Sequence, residues 1–279
     1  MSYHVHISPK TEGFKLNLKE VWQYRDLILL LTKKSFSLTY KQTVLGPAWI
    51  ILNPPLSSLA YLFVFGVVAG ISTGGVPHIL FYLTSTALWG LFSYVLTNNA
   101  KTFIANANIF GKVYFPRLTV SISYVLVGLI MLAIQLILVI ILMIFFTITG
   151  DIHPNWAMWL TVPLGLLQLC VLGMSIGIIL SSVTTKYRDL QILVSFGMSL
   201  WMFATPVVYP ASEVTNGALH TLVMLNPASA PIEWLRYAMF GSGSVEPLFL
   251  VISVAVTIVC AVIGIGLFNH VEKTFIDTV

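Results

Sequence analysis

Residue types that catalyse reactions or bind metals are few in this sequence, and they do not cluster. A metal site needs His, Cys or carboxylate ligands that converge, yet the histidines beyond the N-terminal tail stand far apart, at His78, His153, His220 and His270. The two cysteines, Cys170 and Cys260, each lie midway along an apolar stretch, where a thiol packs as a small hydrophobic group. We therefore expect neither a metal site nor a disulfide.

The sequence also lacks a nucleotide-binding loop and a recognisable catalytic constellation. The only Gly-Lys pair, Gly111-Lys112, is followed by Val113 rather than by Ser or Thr, so it is not a phosphate-binding loop. Asp189 is an isolated acid whose neighbour Arg188 offers local pairing. The long apolar stretches hold no ionisable residue that could bind and release a transported proton or sodium ion. We predict that the chain is not an enzyme, binds no cofactor itself, and receives any energy for transport from a separate ATPase.

The composition places these residues in a membrane protein. Hydrophobic residues make up 57% of the chain, charged residues only 9%, and the mean hydropathy is +0.91. The net charge of +4 does not indicate nucleic-acid binding, because the basic residues stand between apolar stretches instead of forming one water-exposed patch.

The apolar stretches predict six membrane-spanning helices, because about 20 apolar residues cross roughly 30 Å of hydrocarbon. The expected spans are residues 48–70, 79–100, 118–148, 156–182, 190–209 and 247–269. Of the 14 Lys and Arg residues, all except Arg236 fall in the N-terminal segment, in two loops on the same side and in the C-terminal tail. Since cytoplasmic segments retain positive charge, both termini are expected in the cytoplasm.

Two features outside the spans complete an all-α membrane fold. In the cytoplasmic segment 1–46, which precedes the six-helix domain 47–279, Leu18, Val21, Trp22, Ile28 and Leu31 recur at helical spacing. They predict an amphipathic helix in the membrane interface, or one packed on a partner. Between the fifth and sixth spans, two short apolar stretches, 218–225 and 231–240, are separated by Asn226-Pro227 and predict a re-entrant outer hairpin or a packed outer loop.

Several motifs, in order along the chain, resemble the type-2 ABC transporter permeases that export O-antigen, capsule and teichoic acid. These motifs are Trp22-Gln-Tyr-Arg-Asp-Leu27, Tyr40-Lys-Gln-Thr-Val-Leu-Gly-Pro-Ala-Trp49, Asn53-Pro54, Asn108-Ile-Phe-Gly-Lys-Val-Tyr-Phe-Pro-Arg117, Lys186-Tyr-Arg-Asp189, Leu200-Trp-Met-Phe-Ala-Thr-Pro-Val-Val-Tyr-Pro210, Asn226-Pro227, and Glu233 with Arg236.

The resemblance implies a homodimer in the bacterial inner membrane with two ABC ATPase subunits, which bind ATP and Mg²⁺. It also implies a central conduit for a lipid-linked polysaccharide, with O-antigen as the first choice of cargo and teichoic acid or capsule as the second. A drug or lipid exporter and a membrane enzyme of glycan synthesis are the alternatives.

The resemblance and the residue types together suggest four groups of site residues. The loop expected to dock into the ATPase contains Phe110, Lys112, Tyr114, Phe115, Pro116 and Arg117, with the aromatic rings as anchors; the alternative is a charged turn that only sets topology. The inner entrance, in contact with the lipid linker, contains Arg25, Lys33, Lys34 and Lys41, although topology alone also requires positive charge there. The conduit lining contains Trp49, Tyr61, Phe65, Phe196, Trp201 and Phe203, unless these rings are packing or belt residues. The outer gate contains Asn226, Pro227, Glu233 and Arg236.

Overall fold

The computed structural model describes residues 18–41, 43–110, 112–113, 115–184, 189–243 and 245–278. For Leu18, Tyr40 and residues 269–278 it describes the backbone only. Every regular element within these ranges is helical, which confirms the predicted all-α class. The α-helices are α1 (Leu18–Gln23), α2 (Arg25–Tyr40), α3 (Ala48–Tyr61), α4 (His78–Asn99), α5 (Thr102–Phe110), α6 (Leu118–Thr149), α7 (Val162–Thr184), α8 (Leu190–Phe203), α9 (Gly217–Leu225), α10 (Ser229–Phe240) and α11 (Pro247–Thr278). A π-helix, Leu62–Val68, extends α3, and 3₁₀ turns at Met158–Thr161 and Ala211–Glu213 precede α7 and α9.

Five of these helical segments are long and apolar enough to cross a membrane. They are Ala48–Val68, His78–Asn99, Leu118–Thr149, Met158–Thr184 and Pro247–Phe268. The bounds of these five segments agree with five of the six expected spans to within two residues at each end. Helix α11 itself continues beyond its membrane segment to Thr278. The chain is therefore a multi-pass helical membrane protein.

The span expected at residues 190–209 differs from the others. Helix α8 has 14 residues, which corresponds to about 21 Å and is shorter than the roughly 30 Å of hydrocarbon. A turn follows at 204–210. The helix stops there because Pro206 has no backbone N–H and disfavours helical geometry at Thr205. The Thr205 hydroxyl instead donates a 2.8 Å hydrogen bond to the carbonyl of Trp201.

Helix α4 lies at the centre of the bundle and packs against α3, α6 and α7. Its contact with α7 is close because Gly173 and Gly177 face it. A Cβ at position 177 would lie 2.6 Å from the carbonyl oxygen of Leu96 and from the Cβ of Asn99. Small residues at such spacing let two membrane helices approach at backbone distance. Helix α11 then packs on the opposite flank of α7.

The two ends of the bundle are defined by α4, and we call them the His78 side and the Asn99 side. At the Asn99 side, the Thr184 hydroxyl at the end of α7 donates a 2.8 Å hydrogen bond to the carbonyl of Ala100. At the His78 side, α10 ends at Gly241, whose φ of +71° and whose closeness to the carbonyl of His153 exclude a side chain. Helices α4 and α7 therefore run in the same direction, from the His78 side to the Asn99 side.

The N-terminal amphipathic segment forms two helices, α1 and α2, that meet at Tyr24. The apolar residues Val21, Ile28 and Leu31 are buried, and α2 packs along α6. These side chains thus contact protein, while Trp22 is 70% exposed. Farther on, α3 runs through Pro54 and Pro55 as one continuous helix.

Candidate functional site

A cleft of about 370 Å³ opens between α3, α4 and α8. Its volume lies within the range of roughly 300–1,000 Å³ that is typical of small-molecule sites. Its lining combines aromatic, hydroxyl and cationic side chains: Tyr61, Trp89, Ser93, Thr97, Lys101, Ser195, Met198, Ser199, Met202 and Phe203. In a bundle of apolar helices, polar groups gathered on one concave surface indicate a functional site.

The α4 wall of the cleft is the least buried face of an otherwise buried helix. From Leu80 to Ala100 the residues that retain exposure include Thr86, Gly90, Ser93 and Thr97, which follow one another at intervals of three or four. This spacing places them on one face of the helix. This face of α4 contributes the hydroxyl residues Ser93 and Thr97 to the cleft.

Three of the hydroxyl groups that line the cleft donate hydrogen bonds to carbonyl groups of their own helices. Thr97 donates a 2.7 Å hydrogen bond to the carbonyl of Ser93, Ser195 a 3.1 Å bond to Gln191, and Ser199 a 3.3 Å bond to Ser195. Their oxygen lone pairs remain able to accept hydrogen bonds from a ligand. The cleft therefore presents acceptors along its walls.

Three of the six aromatic residues expected to line a conduit come together at one end of this cleft. The Tyr61 hydroxyl contacts the Met202 sulfur at 3.8 Å. The ring of Phe65 lies 6.1 Å from that of Tyr61 and 6.4 Å from that of Phe203, measured between centroids. Such tilted rings expose both edges and faces to a neighbouring ligand.

The structure separates the other three expected lining residues from this cluster. Trp201 packs in the core, with its ring centroid 5.4 Å from Phe92 and 6.4 Å from Trp89. Phe196 is exposed and does not line the cleft. Trp49 lies 12 residues before Tyr61, about 18 Å away along α3.

Asn226, expected at the outer gate, fastens the α9–α10 turn to the end of α8. Its Oδ1 accepts a 2.9 Å hydrogen bond from the Trp201 indole N–H, and its Nδ2 donates a 2.7 Å bond to the Thr205 hydroxyl. The next residue, Pro227, contributes its carbonyl, which accepts a 2.6 Å bond from Ser253 of α11. The turn is thus bonded to two neighbouring helices.

Glu233 and Arg236, the other expected gate residues, form a buried ion pair with a distance of 2.5 Å between Arg236 Nη2 and Glu233 Oε1. Glu233 accepts a 2.7 Å hydrogen bond from the backbone N–H of Ala211. The guanidinium carbon of Arg236 lies 4.3 Å from the centre of the Phe81 ring, a cation–π contact. This pair ties α10 to α4 and to the segment after α8.

The hydroxyl of Tyr209 lies in the same segment and donates a 3.0 Å hydrogen bond to the carbonyl of Phe203. Because Phe203 is the last residue of α8, this bond holds the ring of Tyr209 against the end of that helix.

In the loop expected to dock into an ATPase, the rings of Phe110 and Phe115 lie inside the protein. Phe110 and Phe115 are 7% and 6% exposed, and the Arg117 guanidinium lies 5.3 Å from the Phe110 ring centre. These residues hold α5 against the membrane helices instead of projecting outward as anchors. The sequence could not reveal this, because it does not show which face of α5 is covered.

The remaining loop residues differ in exposure. Lys112 and Val113 are exposed, Pro116 is half-buried, and Tyr114 lies outside the described residues. The four cations expected at the inner entrance, Arg25, Lys33, Lys34 and Lys41, are all exposed.

Lys101 and the hydroxyl residues of the cleft were not among the expected site residues. The sequence does contain a signal for them, because Ser93, Thr97 and Lys101 follow one another at four-residue steps.

Across the described ranges, no group of three His, Cys, Asp or Glu residues could hold a metal ion. The site therefore offers hydrogen-bond acceptors, aromatic rings and one lysine. Such a set suits binding and passage of a polar molecule.

Comparison with known proteins gives a family and several relatives. The family described as "ABC-2 type transporter" matches residues 26–240. Two proteins of Klebsiella pneumoniae named "O-antigen export system permease protein RfbA" are 27% and 28% identical over 253 residues, which cover 90% of this chain and 94% of theirs. A protein of the same name from Myxococcus xanthus is 30% identical over 213 residues, covering 75% of this chain and 78% of its own.

Proposed function

The chain belongs to the ABC-2 type transporter family, and from that membership we propose that it is the permease subunit of an exporter for a lipid-linked cell-surface polysaccharide. Such a subunit transports rather than catalyses, and its energy comes from an ABC ATPase partner. The observation that carries the cargo assignment is the similarity, over 90% of the chain, to relatives named as O-antigen export permeases. The cleft of hydroxyl and aromatic side chains is consistent with a sugar cargo.

Two ATPase subunits, which bind ATP and Mg²⁺, contact the permease at α5 and the loop after it. The exposed residues there are Ala105, Asn108, Lys112 and Val113. The buried rings of Phe103 and Phe110 pack together at 6.2 Å and hold α5 in place. A rigidly held helix with a small, uncharged outer face offers a docking surface that moves together with the membrane helices.

The Asn99 side faces the cytoplasm of a bacterial inner membrane, with both termini on that side. Lys101, Lys112 and Arg117 lie at this side, whereas Asp151 and Glu246 lie at the other, as the positive-inside rule requires. Six crossings are needed for this topology. The sixth is made by α8 together with the non-helical segment 204–210, whose backbone is shielded from lipid by protein.

Helices α9 and α10 form a re-entrant hairpin on the outer side. In support, its turn at Asn226 contacts Trp201, and Trp201 packs against Trp89 and Phe92. Those two residues are 11 and 14 positions into α4, about 16–21 Å from its beginning. This depth corresponds to roughly the middle of the bilayer.

The functional unit is a homodimer that pairs α3 and α8 of one copy with those of the other. Only Ile50, Pro54 and Ser58 are buried on α3, and only Met198 on α8. A second copy would cover the cleft between these helices, whose polar side chains are costly to expose to lipid. The conduit then lies between the two copies, with Tyr61 and Phe203 at its walls. Arg25, Lys33, Lys34 and Lys41 stand at its cytoplasmic entrance, where they attract anionic headgroups.

Affinity purification of the tagged chain from its native membranes tests this function. We expect an ABC ATPase in a one-to-one ratio with the permease, together with retained lipid-linked glycan identified by mass spectrometry. A permease that purifies alone, or that converts a sugar donor without any partner, would refute it.

A further inference from the structure

The cleft between α3, α4 and α8 has a graded lining. Aromatic residues Tyr61, Trp89 and Phe203 lie toward one end, and Lys101 lies just beyond the C-terminus of α4. Trp89, Ser93, Thr97 and Lys101 follow at four-residue steps and together extend about 18 Å along the helix. A ligand that fills the cleft therefore meets rings at one end and a positive charge at the other.

Lys101 is half-exposed and has no carboxylate partner among the described residues. Arg236, by contrast, is buried and forms an ion pair with Glu233. An ammonium group offers three hydrogen-bond donors and no acceptor. Lys101 is thus the one cation of a cleft whose other donors, among them the Tyr61 and Ser93 hydroxyls and the Trp89 indole N–H, are uncharged.

This division of donors and acceptors distinguishes the parts of a ligand. Thr97, Ser195 and Ser199 already donate their protons to helix carbonyls, so their oxygens accept hydrogen bonds from sugar hydroxyls but cannot easily donate to a phosphate. A phosphate group has acceptors only, and Lys101 is the one ionised donor lining the cleft.

We propose that Lys101 binds the phosphate of the lipid-linked glycan at the inner end of this cleft, an assignment that rests on the proposed function. Lys101 also joins the cleft to α5, because its carbonyl accepts a 2.8 Å hydrogen bond from the backbone N–H of Ala105 in the first turn of that helix. A phosphate bound at Lys101 is therefore one residue away from the helix that contacts the ATPase.

The test uses the purified permease–ATPase complex in phosphatidylcholine nanodiscs, with geranylgeranyl diphosphate as the probe and geranylgeraniol as its uncharged match. The unaltered complex is expected to bind the diphosphate at least tenfold more tightly than the alcohol. Lys101→Gln is expected to abolish this difference, and Lys101→Arg to retain it. Lys19→Gln removes an exposed positive charge that does not line the cleft, and this variant is expected to bind as the unaltered complex does. Diphosphate binding that is unchanged in Lys101→Gln would overturn the assignment.

Two further arms identify the source of the phosphate. Inorganic pyrophosphate that competes as strongly as the prenyl diphosphate would indicate a site for soluble phosphate. Loss of probe binding in nanodiscs that contain phosphatidylglycerol would indicate a site for bulk lipid headgroups. Either result contradicts the proposal, which requires the prenyl diphosphate to bind in preference to both.

A labelling measurement on the unaltered complex covers the case in which Lys101→Gln fails to insert. Acetylation of Lys101 by an N-hydroxysuccinimide ester, read by mass spectrometry, is expected to slow at least fivefold with the diphosphate and not with the alcohol, while Lys19 reacts equally in both. Equal protection by both probes would overturn the site. ATP-dependent export by the unaltered complex tests the proposed function separately. If the complex exports glycan normally but the diphosphate does not protect Lys101, the assignment of Lys101 is refuted and the proposed function stands.

Discussion

The guanidinium of Arg236 donates a 2.7 Å hydrogen bond from Nη1 to the carbonyl oxygen of Pro206. The same Nη1 atom donates a 2.8 Å bond to the Ser85 hydroxyl of α4. Because Pro206 stands where α8 has ended, its carbonyl has no helical partner, and Arg236 supplies one. A single side chain thereby joins α10, α4 and the non-helical segment after α8.

Replacing Arg236 by methionine is expected to destabilise the permease. The change leaves the Glu233 carboxylate buried without its partner and the Pro206 carbonyl without a donor, and breaking a buried pair in this way costs about 3–5 kcal/mol. Thermal unfolding in detergent, followed by tryptophan fluorescence, measures the effect. The double variant Arg236→Met with Glu233→Leu should recover part of the loss; a single variant as stable as the parent would contradict the role of the pair.

Replacing Gly177 by alanine is expected to disturb the packing of α7 on α4. The added Cβ would meet the Leu96 carbonyl and the Asn99 Cβ at 2.6 Å, and overpacking of this kind costs about 1–3 kcal/mol. Gly197→Ala on α8 is the matched control, because its added Cβ would meet no atom of another helix within 4 Å. Its higher helix propensity should leave stability equal or slightly raised. Equal melting temperatures for the two variants would count against the close α4–α7 contact.

Phe110→Ala and Ala105→Arg separate the two roles of the α5 region. Phe110 is buried, so its truncation is expected to destabilise the isolated permease by about 3–5 kcal/mol. Ala105 is exposed, so arginine there should leave the isolated permease stable but lower the amount of ATPase that purifies with it severalfold. Ser37→Arg, on the exposed face of α2, should do neither. If Phe110→Ala left the stability of the isolated permease unchanged, the Phe110 ring would instead be an anchor for the ATPase.

Tyr61→Ala and Trp201→Ala are expected to differ, although both residues were predicted to line the conduit. Tyr61 lies at the cleft wall, and its truncation should slow export while the amount of assembled complex stays the same. Trp201 packs on Phe92 and bonds Asn226, so its truncation should lower stability by about 3–5 kcal/mol. Surface glycan and complex abundance, measured in the same cells, distinguish the two effects. Equal losses of complex in both variants would contradict the assignment.

Much of the fold was predictable because membrane insertion depends on local composition. The apolar stretches that form α4, α6, α7 and α11 can be recognised from the sequence alone, because each crossing needs about 20 apolar residues. The helix expected at 190–209 ends earlier, at Phe203, because hydropathy does not register a break in a helix. Val207 and Val208 are apolar and buried, yet they follow Pro206 and lie outside α8.

The candidate site was less predictable because exposure in a membrane protein depends on which helices meet. The aromatic residues Tyr61 and Trp201 look alike in sequence, and only their neighbours separate a cleft wall from a core position. The burial of Phe110 likewise depends on contacts with Phe103 and Phe115. Lys101 was interpreted only as a topological charge, because its position at the end of a hydroxyl-lined face requires the packing of α8 against α4.

ATP-driven movement of a lipid-linked polysaccharide is the measurement that tests the function most directly. In inside-out vesicles that contain the permease and its ATPase, labelled lipid-linked glycan on the outer surface should become protected from an added glycosidase when ATP is supplied. Vesicles with permease alone, or without ATP, should leave the glycan accessible. Protection that is independent of ATP and of the ATPase, or no protection in the complete system, would contradict an ATP-driven export permease.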